Sequence, residues 1–250
     1  MEKISDTKRI AGKRILITGG TTGIGRALAI KLAQLGANIV IVGRHQDVIQ
    51  ETLEEIKHDD SETQVLGVAA DVSLQDDLEK VFMTVNEELG GLDVLINNAS
   101  LGFGSITEGE YRDWEYIVKT NLMGYMACSH YALTAMVPQE KGHIIHIGSM
   151  SAVSREDGSS VYVATKSALQ GFSESLRKEV NPKGINVTLI EPGAVDTDMQ
   201  EQSQEEKLKQ IEAMEMLMAD DIAESVIYVL AQHERTSIVE LKIKPLKQII

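Results

Sequence analysis

The sequence has 250 residues, of which 43% are hydrophobic, and its 38 acidic and 24 basic residues give a formal net charge of −14. The apolar fraction is large enough for a packed core, which argues against a disordered chain. The acidic charge argues against nucleic acid or an anionic membrane as a partner, because both repel negative charge.

Cysteine usage and the N-terminal segment indicate a cytoplasmic protein. Cys128 is the single cysteine, which excludes an intrachain disulfide and a thiolate metal cluster, and no metal site is expected. Residues 1–14 are polar and charged, with no stretch that resembles a signal peptide. The longest apolar runs, such as Ile39–Val42, are far too short to span a bilayer.

Short β-branched runs alternate with helical stretches along the whole chain, with no repeat and no linker. The first helix is predicted from apolar residues at helical spacing, from Ile24 to Leu35, and ends at Gly36. Strands are predicted at Arg14–Thr18, Asn38–Val42, Gln64–Ala69, Asp93–Ile96, His143–Ile147, Ile185–Ile190 and Ser237–Ile243. Further helices are predicted near 46–58, 73–89, 110–137, 161–180 and 219–232.

This alternation predicts right-handed βαβ crossovers and an α/β fold with a doubly wound parallel sheet of about seven strands. We expect a single domain over residues 1–250, with a cofactor half at about 10–120 and a catalytic and substrate half at about 121–250. Ligands of such sheets bind beyond the carboxyl ends of the strands.

The first motif at a strand end is the loop TGGTTGIG, residues 18–25, between the first strand and the first helix. Its glycines, Gly19, Gly23 and Gly25, permit a tight turn and let the backbone approach a pyrophosphate at the helix N-terminus. A glycine-rich loop by itself is often a simple turn. Its position within a βαβ unit favours a dinucleotide site.

The end of the second strand, Val42-Gly43-Arg44-His45, bears on cofactor choice. An NAD site usually has a carboxylate there to accept from the ribose 2′-hydroxyl, and this sequence has none. The guanidinium of Arg44 suits a 2′-phosphate, with His45 or the Thr21 hydroxyl assisting. The alternative is that Arg44 only solvates the strand end. We predict NADP (NADPH) as the cofactor.

A candidate catalytic group is formed by Tyr162 and Lys166, which stand four residues apart on one face of a helix. A free tyrosine has a pKa of about 10, and a neighbouring ammonium would lower it towards the working range. Such a pair also occurs by chance on exposed helices. Ser149, 13 residues before Tyr162, follows a strand and could hold the substrate oxygen.

Asn121 lies inside the predicted helix 110–137, where a buried polar amide is unfavourable unless it has a task. One task is to hold a water that relays protons. The alternative is a hydrogen bond that joins the helix to the sheet.

Together these motifs resemble the short-chain dehydrogenase/reductase family over nearly the whole chain. The matching residues are the TGGTTGIG loop, Asp71-Val72, Asn97-Asn98-Ala99-Ser100, Asn121, Ser149, Tyr162, Lys166 and Pro192-Gly193-Ala194-Val195-Asp196-Thr197. The ordered set with these intervals is highly specific. It implies a Rossmann-like fold that binds a nicotinamide cofactor.

The resemblance also implies roles for individual residues. Tyr162 would be the acid/base, Ser149 would orient the substrate, Lys166 would lower the tyrosine pKa and bind ribose, and Asn121 would anchor a proton relay. The implied cofactor contacts are Gly19, Thr21, Gly23, Ile24 and Gly25 at the glycine loop, Asp71 and Val72 flanking adenine, Asn98 and Ala99 at the nicotinamide-side ribose, and Pro192, Gly193, Val195 and Thr197 over the nicotinamide.

Some regions depart from the family's common pattern. Ser100 replaces the glycine usual after Asn-Asn-Ala and is expected to crowd the site slightly. The C-terminal stretch 238–245 lacks the glycine-rich ending typical of ketoacyl-carrier-protein reductases. With the stretch 219–224, it resembles the branch of serine-type dehydrogenases and clavulaldehyde-type reductases.

Residues 198–218 mix charges with methionine, leucine and isoleucine, which predicts an amphipathic lid over the site. The alternative is that these apolar residues are ordinary core contacts of a surface helix. Helices 110–137 and 161–180 carry apolar residues on more than one face, and the family often forms tetramers through them. A homo-oligomer, tetramer or dimer, is therefore expected.

The sequence favours an NADP(H)-dependent oxidoreductase that moves a hydride between nicotinamide and a carbonyl or secondary alcohol substrate. A non-catalytic NADPH-binding sensor is the second hypothesis, although that class typically loses the tyrosine or lysine, and here both remain. An epimerase or dehydratase would need further acid/base groups, and usually a longer substrate domain.

Overall fold

The computed structural model describes residues 6–57, 63–200 and 202–248, and its strands form one parallel sheet in the order β3-β2-β1-β4-β5-β6-β7. The strands are β1 Arg14–Thr18, β2 Asn38–Gly43, β3 Val65–Ala69, β4 Val94–Asn97, β5 Gly142–Ile147, β6 Ile185–Pro192 and β7 Glu240–Ile243. The predicted doubly wound α/β sheet of seven strands is confirmed. The chain reverses its direction of travel across the sheet between β1 and β4, where such folds bind ligands.

Helices connect successive strands. They are α1 Gly23–Gln34, α2 Gln46–Lys57, α3 Gln75–Leu89, α4 Tyr111–Val118, α5 Gly124–Gln139, α6 Ser151–Ser154, α7 Ser160–Val180, α8 Gln204–Glu212 and α9 Ala219–Leu230. The predicted end of α2 at residue 58 lies outside the described residues. Among the described residues, no helix is long and apolar enough to cross a membrane.

The core lies on both faces of the sheet. Ile15 and Ile17 of β1 pack with residues of α1, α2 and α9 on one face. Leu16, between them, packs with residues of α3, α5 and α7 on the other. Because both faces are covered, the strands need apolar residues at nearly every position, which explains runs such as Ile39–Val42.

The strand register aligns the carboxyl ends of neighbouring strands. Thr18 at the end of β1 pairs with Val42, and Gly43 at the end of β2 pairs with Ala69. The loops that follow β1, β2 and β3 therefore open on the same edge of the sheet.

Two predicted elements differ from the structure by more than two residues at an end or by an interruption. The helix predicted over 110–137 is interrupted by a π-helical turn at Lys119–Met123. The last strand begins at Glu240 rather than at Ser237, and the carbonyl of Ile238 before it accepts a hydrogen bond from the Thr188 side chain (2.6 Å).

Candidate active site

The glycine turn between β1 and α1 has a shape that only glycine fits. Gly19 has a φ of +62°, and a Cβ there would lie 2.8 Å from the Cα of Ala99. A Cβ on Gly25 would lie 1.9 Å from the carbonyl oxygen of Gly19. Thr22 precedes α1, and its side chain makes no capping hydrogen bond within the described residues. The first backbone N–H groups of α1 are therefore available to an anion.

Asn98 fixes the glycine turn from the end of β4. Its side-chain amide donates to the carbonyls of Thr18 (3.1 Å) and Gly19 (2.9 Å). The Thr18 hydroxyl in turn accepts from the backbone N–H groups of Asn98 (3.0 Å) and Ala99 (3.1 Å). The Asn98 amide thus holds the loop itself, and its implied contact with ribose stays a prediction. Ile24, the second residue of α1, packs against the core.

Gly43 at the end of β2 lies against Thr21 of the glycine turn. A Cβ at Gly43 would come within 2.6 Å of Thr21 Cγ2 and 2.9 Å of its hydroxyl oxygen. The position where an NAD site usually has a carboxylate is therefore closed to any larger residue while Thr21 stays in place.

Arg44, the next residue, belongs to a hydrogen-bonded chain with Tyr116 and Asp71. Its Nη1 donates to the Tyr116 hydroxyl (3.1 Å), which donates to Asp71 Oδ2 (2.7 Å). His45 is exposed beside it. Val72 is buried, and its carbonyl lies 2.9 Å from where a Cβ on Gly124 would be.

Asn121 is fully buried in the π-helical turn. Its Oδ1 accepts from the Leu101 N–H and its Nδ2 donates to the Leu101 carbonyl, both at 2.8 Å. A weaker contact of 3.3 Å joins Nδ2 to the Thr165 hydroxyl of α7. The side chain thus joins the helix to the loop after β4 rather than to the sheet, and its implied part in a proton relay stays a prediction.

Ser149, Tyr162 and Lys166 come together between the end of β5 and the start of α7. The Ser149 hydroxyl lies close enough to the Tyr162 phenol to lower its pKa, and it accepts from the Ser151 N–H (3.1 Å). Lys166 Nζ lies 5.6 Å from the centroid of the Tyr162 ring and donates to the Ile147 carbonyl (3.0 Å). The Tyr125 ring, from α5, lies under the same ammonium at 5.5 Å.

Burial governs the protonation of this group. It raises the pKa of the Tyr162 phenol, and the nearby Ser149 hydroxyl only partly opposes that rise. Burial lowers the pKa of Lys166 to about 7, against the charge of Glu191, which raises it. The expected lowering of the tyrosine pKa is therefore not the net result in this structure.

The loop after β6 covers the glycine turn and is held at several points. Gly193 donates its N–H to the Ile243 carbonyl (2.7 Å), and Val195 pairs with Leu217. A Cβ on Gly23 would lie 3.0 Å from Thr197 Cγ2. Thr197 therefore lies directly over the start of α1.

Lys207 of α8 anchors this loop to the predicted lid. Its buried ammonium donates to the Thr197 carbonyl (2.7 Å) and pairs with Asp196 Oδ1 (3.2 Å). The lid segment, which the structure describes except for residue 201, is thus attached through Lys207 to the loop that follows Pro192.

Comparison with known proteins decides the family. A family model described as short chain dehydrogenase matches residues 13–208. The chain belongs to the short-chain dehydrogenase/reductase family.

The relatives of this short-chain dehydrogenase are oxidoreductases. An uncharacterized oxidoreductase of Staphylococcus epidermidis is 32% identical over 238 residues, which are 95% of this chain and 99% of the relative. A short chain dehydrogenase from Burkholderia cenocepacia, solved in complex with NADP, has a TM-score of 0.84 and 29% identity, with 95% of this chain and 98% of that chain covered. A metagenomic short-chain oxidoreductase, also solved with NADP, has a TM-score of 0.82 and 26% identity over 95% and 98% of the two chains.

Sequence reasoning on this short-chain dehydrogenase missed several residues around the site. Tyr116 is an aromatic residue in a helix and gives no signal of its own. Lys207 is one of several charged residues in the lid segment, and only the structure shows that it is buried. Thr18 could have been found, because it directly precedes Gly19.

Proposed function

We propose that this short-chain dehydrogenase is an NADP(H)-dependent oxidoreductase that transfers a hydride between nicotinamide and a carbonyl or secondary alcohol substrate. The observation that carries the proposal is the cluster of the Ser149 hydroxyl, the Tyr162 phenol and Lys166. The cluster lies at the sheet edge where the glycine turn also opens. A hydroxyl, a phenol and an amine held in one cluster can bind a carbonyl oxygen and exchange a proton with it.

The shape of the glycine turn supports the nicotinamide cofactor, because a side chain at Gly19 or Gly25 would collide with backbone. Bound NADPH would supply the hydride. The residues that would hold it are Gly19, Thr21, Gly23, Ile24 and Gly25 at the pyrophosphate, Arg44 and His45 at the 2′-phosphate, Asp71 and Val72 at adenine, Asn98, Ala99, Tyr162 and Lys166 at the nicotinamide-side ribose, and Pro192, Gly193, Val195 and Thr197 at the nicotinamide.

The protonated phenol of Tyr162 is suited to act as the acid in the reductive direction. Because burial raises the pKa of the phenol, the resting side chain carries its proton at neutral pH. The protonated phenol would donate its proton to the oxygen of a carbonyl group whose carbon accepts the hydride. Ser149 would orient the same oxygen, and Asn121 would keep the loop at Leu101 in place beside the substrate.

Further parts of the proposal concern the surroundings of the site. We propose one domain, with residues 198–218 as a lid, since α8 is tied to the loop after β6 through Lys207. We also propose a homo-oligomer, tetramer or dimer, because Met123 of the π-helical turn and Met126 of α5 remain exposed in the isolated chain. A cytoplasmic location is proposed on the single cysteine, Cys128. The serine-type and clavulaldehyde-type branch is proposed on the stretches 219–224 and 238–245 alone.

The test follows NADPH absorbance against a panel of aldehydes, ketones and hydroxy acids. We expect Tyr162→Phe to lower turnover by about 10²- to 10⁴-fold, because the phenolic proton is lost, while NADPH binding persists. Tyr228→Phe, at an exposed tyrosine of α9, is the matched control and should retain full activity. Turnover unchanged by Tyr162→Phe would refute the proton-transfer role. Tight NADPH binding without turnover on any substrate would favour the sensor hypothesis.

A further inference from the structure

Tyr116 joins two charged residues that follow neighbouring strands. It lies on α4, while Arg44 follows β2 and Asp71 follows β3. Its hydroxyl oxygen is 3.1 Å from Arg44 Nη1 and 2.7 Å from Asp71 Oδ2. One phenol thus bridges a cation and an anion at the edge where the adenosine end of a dinucleotide would lie.

The direction of the two hydrogen bonds follows from chemistry. An ionised carboxylate only accepts and a guanidinium only donates, so the phenol gives its proton to Asp71 and accepts from Arg44. Burial and Asp71 raise the pKa of Tyr116, which keeps the proton on the phenol. Although burial raises the pKa of Asp71, hydrogen bonds from Ser73 and Tyr116 and the charge of Arg44 bring it below its usual value.

Asp71 is itself a fixed anchor. Its Oδ1 accepts from the Ser73 N–H (2.9 Å), and its own N–H donates to Asp77 Oδ2 (2.9 Å). The fixed carboxylate holds the phenol, and the phenol holds one nitrogen of the guanidinium. A guanidinium has five N–H donors, so this contact leaves others to bind an anion.

We propose that Tyr116 is a positioning residue for Arg44 and a determinant of selectivity for the 2′-phosphate of NADP(H). Its hydroxyl keeps the exposed guanidinium in one place and separates it from the carboxylate of Asp71. Without that hydroxyl, Arg44 is free to pair directly with Asp71, which would take its charge away from a 2′-phosphate. The inference rests on the proposed use of NADP(H).

A purely structural role for Tyr116 makes a different prediction. If its ring only shaped the adenine pocket, removal of the hydroxyl would affect NADPH and NADH alike, since both carry adenine. If it acts through Arg44, only the cofactor with the 2′-phosphate is affected.

The experiment measures the dissociation constants of NADPH and NADH for the full chain and for Tyr116→Phe. We expect the Kd of NADPH to rise about five- to twentyfold, as for the loss of one hydrogen bond to a charged group, and that of NADH to stay within about twofold. Tyr111→Phe, at an exposed tyrosine of the same helix, is the matched control and should change neither value. Equal losses for both cofactors, or no change, would overturn the proposal.

A second comparison shows whether Tyr116 acts through Arg44. Because the two residues would form one unit, Arg44→Met and the double variant Arg44→Met/Tyr116→Phe should bind NADPH equally weakly. Additive losses would contradict the proposed coupling. A wild-type chain that binds NADPH no better than NADH would refute both this inference and the proposed cofactor, whereas selective wild-type binding with an unaffected Tyr116→Phe would refute this inference alone.

Discussion

At the end of β2, Arg44 directly follows Gly43, the position where an NAD site usually has a carboxylate. We predict that Arg44→Asp moves the ratio of kcat/KM for NADPH to that for NADH by about 10- to 100-fold towards NADH. The reason is that the substitution replaces a guanidinium, which donates to the 2′-phosphate, with a carboxylate, which repels the phosphate. Arg235→Asp makes the same charge change at an exposed position and should leave the ratio unaltered. An unchanged ratio in Arg44→Asp would reject the assignment.

The residues that could be predicted from the sequence are those with short intervals between them. Tyr162 and Lys166 stand one helical turn apart, and Ser149 precedes Tyr162 by 13 residues. The structure brings all three together. Tyr116 could not be predicted in the same way, because its partners are 72 and 45 residues away and their meeting depends on the strand order.

At the scale of elements, the π-helical turn shows the limit of periodicity. The apolar spacing continues through residues 110–137, so the pattern predicts one continuous helix. The bulge at Lys119–Met123 contains Asn121, whose amide pairs with the Leu101 backbone 20 residues earlier in the chain. Hydrogen bonds of this kind, between a helix and a distant loop, leave no pattern in the local sequence.

The attachment of α8 leads to a prediction about the lid segment. Lys207→Met removes the ammonium that pairs with Asp196 and with the Thr197 carbonyl, and we expect this to lower the free energy of unfolding by about 1–3 kcal/mol. The loop over the glycine turn would loosen, so the KM for NADPH should rise about three- to tenfold. Denaturant unfolding and steady-state kinetics measure the two effects.

The control for this change is Lys209→Met, at an exposed lysine of the same helix that pairs with Glu205. It should alter neither quantity appreciably, since exposed ion pairs contribute little. If Lys207→Met behaved like Lys209→Met, α8 would not hold the loop.

At the scale of the whole molecule, a buried histidine links stability to pH. His146 of β5 is fully buried between Ser129 (Nε2, 3.2 Å) and Ser173 (Nδ1, 2.8 Å). Burial, with a smaller contribution from the charge of Lys166, lowers the pKa of His146 to about 3. The unfolded chain protonates this histidine near pH 6.5, whereas the folded chain protonates it only near pH 3. The stability that the neutral buried histidine contributes is therefore fully present above pH 6.5 and is lost as the pH falls.

We therefore predict that the free energy of unfolding of the wild type falls more steeply with acid than that of His146→Gln. Between pH 6 and pH 4 the difference in slope should approach about 1.4 kcal/mol per pH unit, the value for one proton. Urea titrations at several pH values measure it. His130→Gln, at an exposed histidine of α5, should keep the wild-type slope, and equal slopes for His146→Gln and the wild type would contradict the prediction.

The architecture itself was more accessible from the sequence than its details. Alternating strands and helices predict parallel pairing and crossover handedness, because few other arrangements bury both faces of each strand. The order of the strands does not follow from that alternation, and it is this order that places the end of β4 against the turn after β1.

The contact between Gly43 and Thr21 constrains how cofactor preference can evolve. An aspartate introduced at Gly43 would bring its Cβ to 2.6 Å from Thr21 Cγ2, so Thr21 must first become smaller or move. An acidic residue at this position of β2 therefore requires the Thr21 side chain to rotate or to be replaced, so that cofactor preference at β2 is coupled to the phosphate turn.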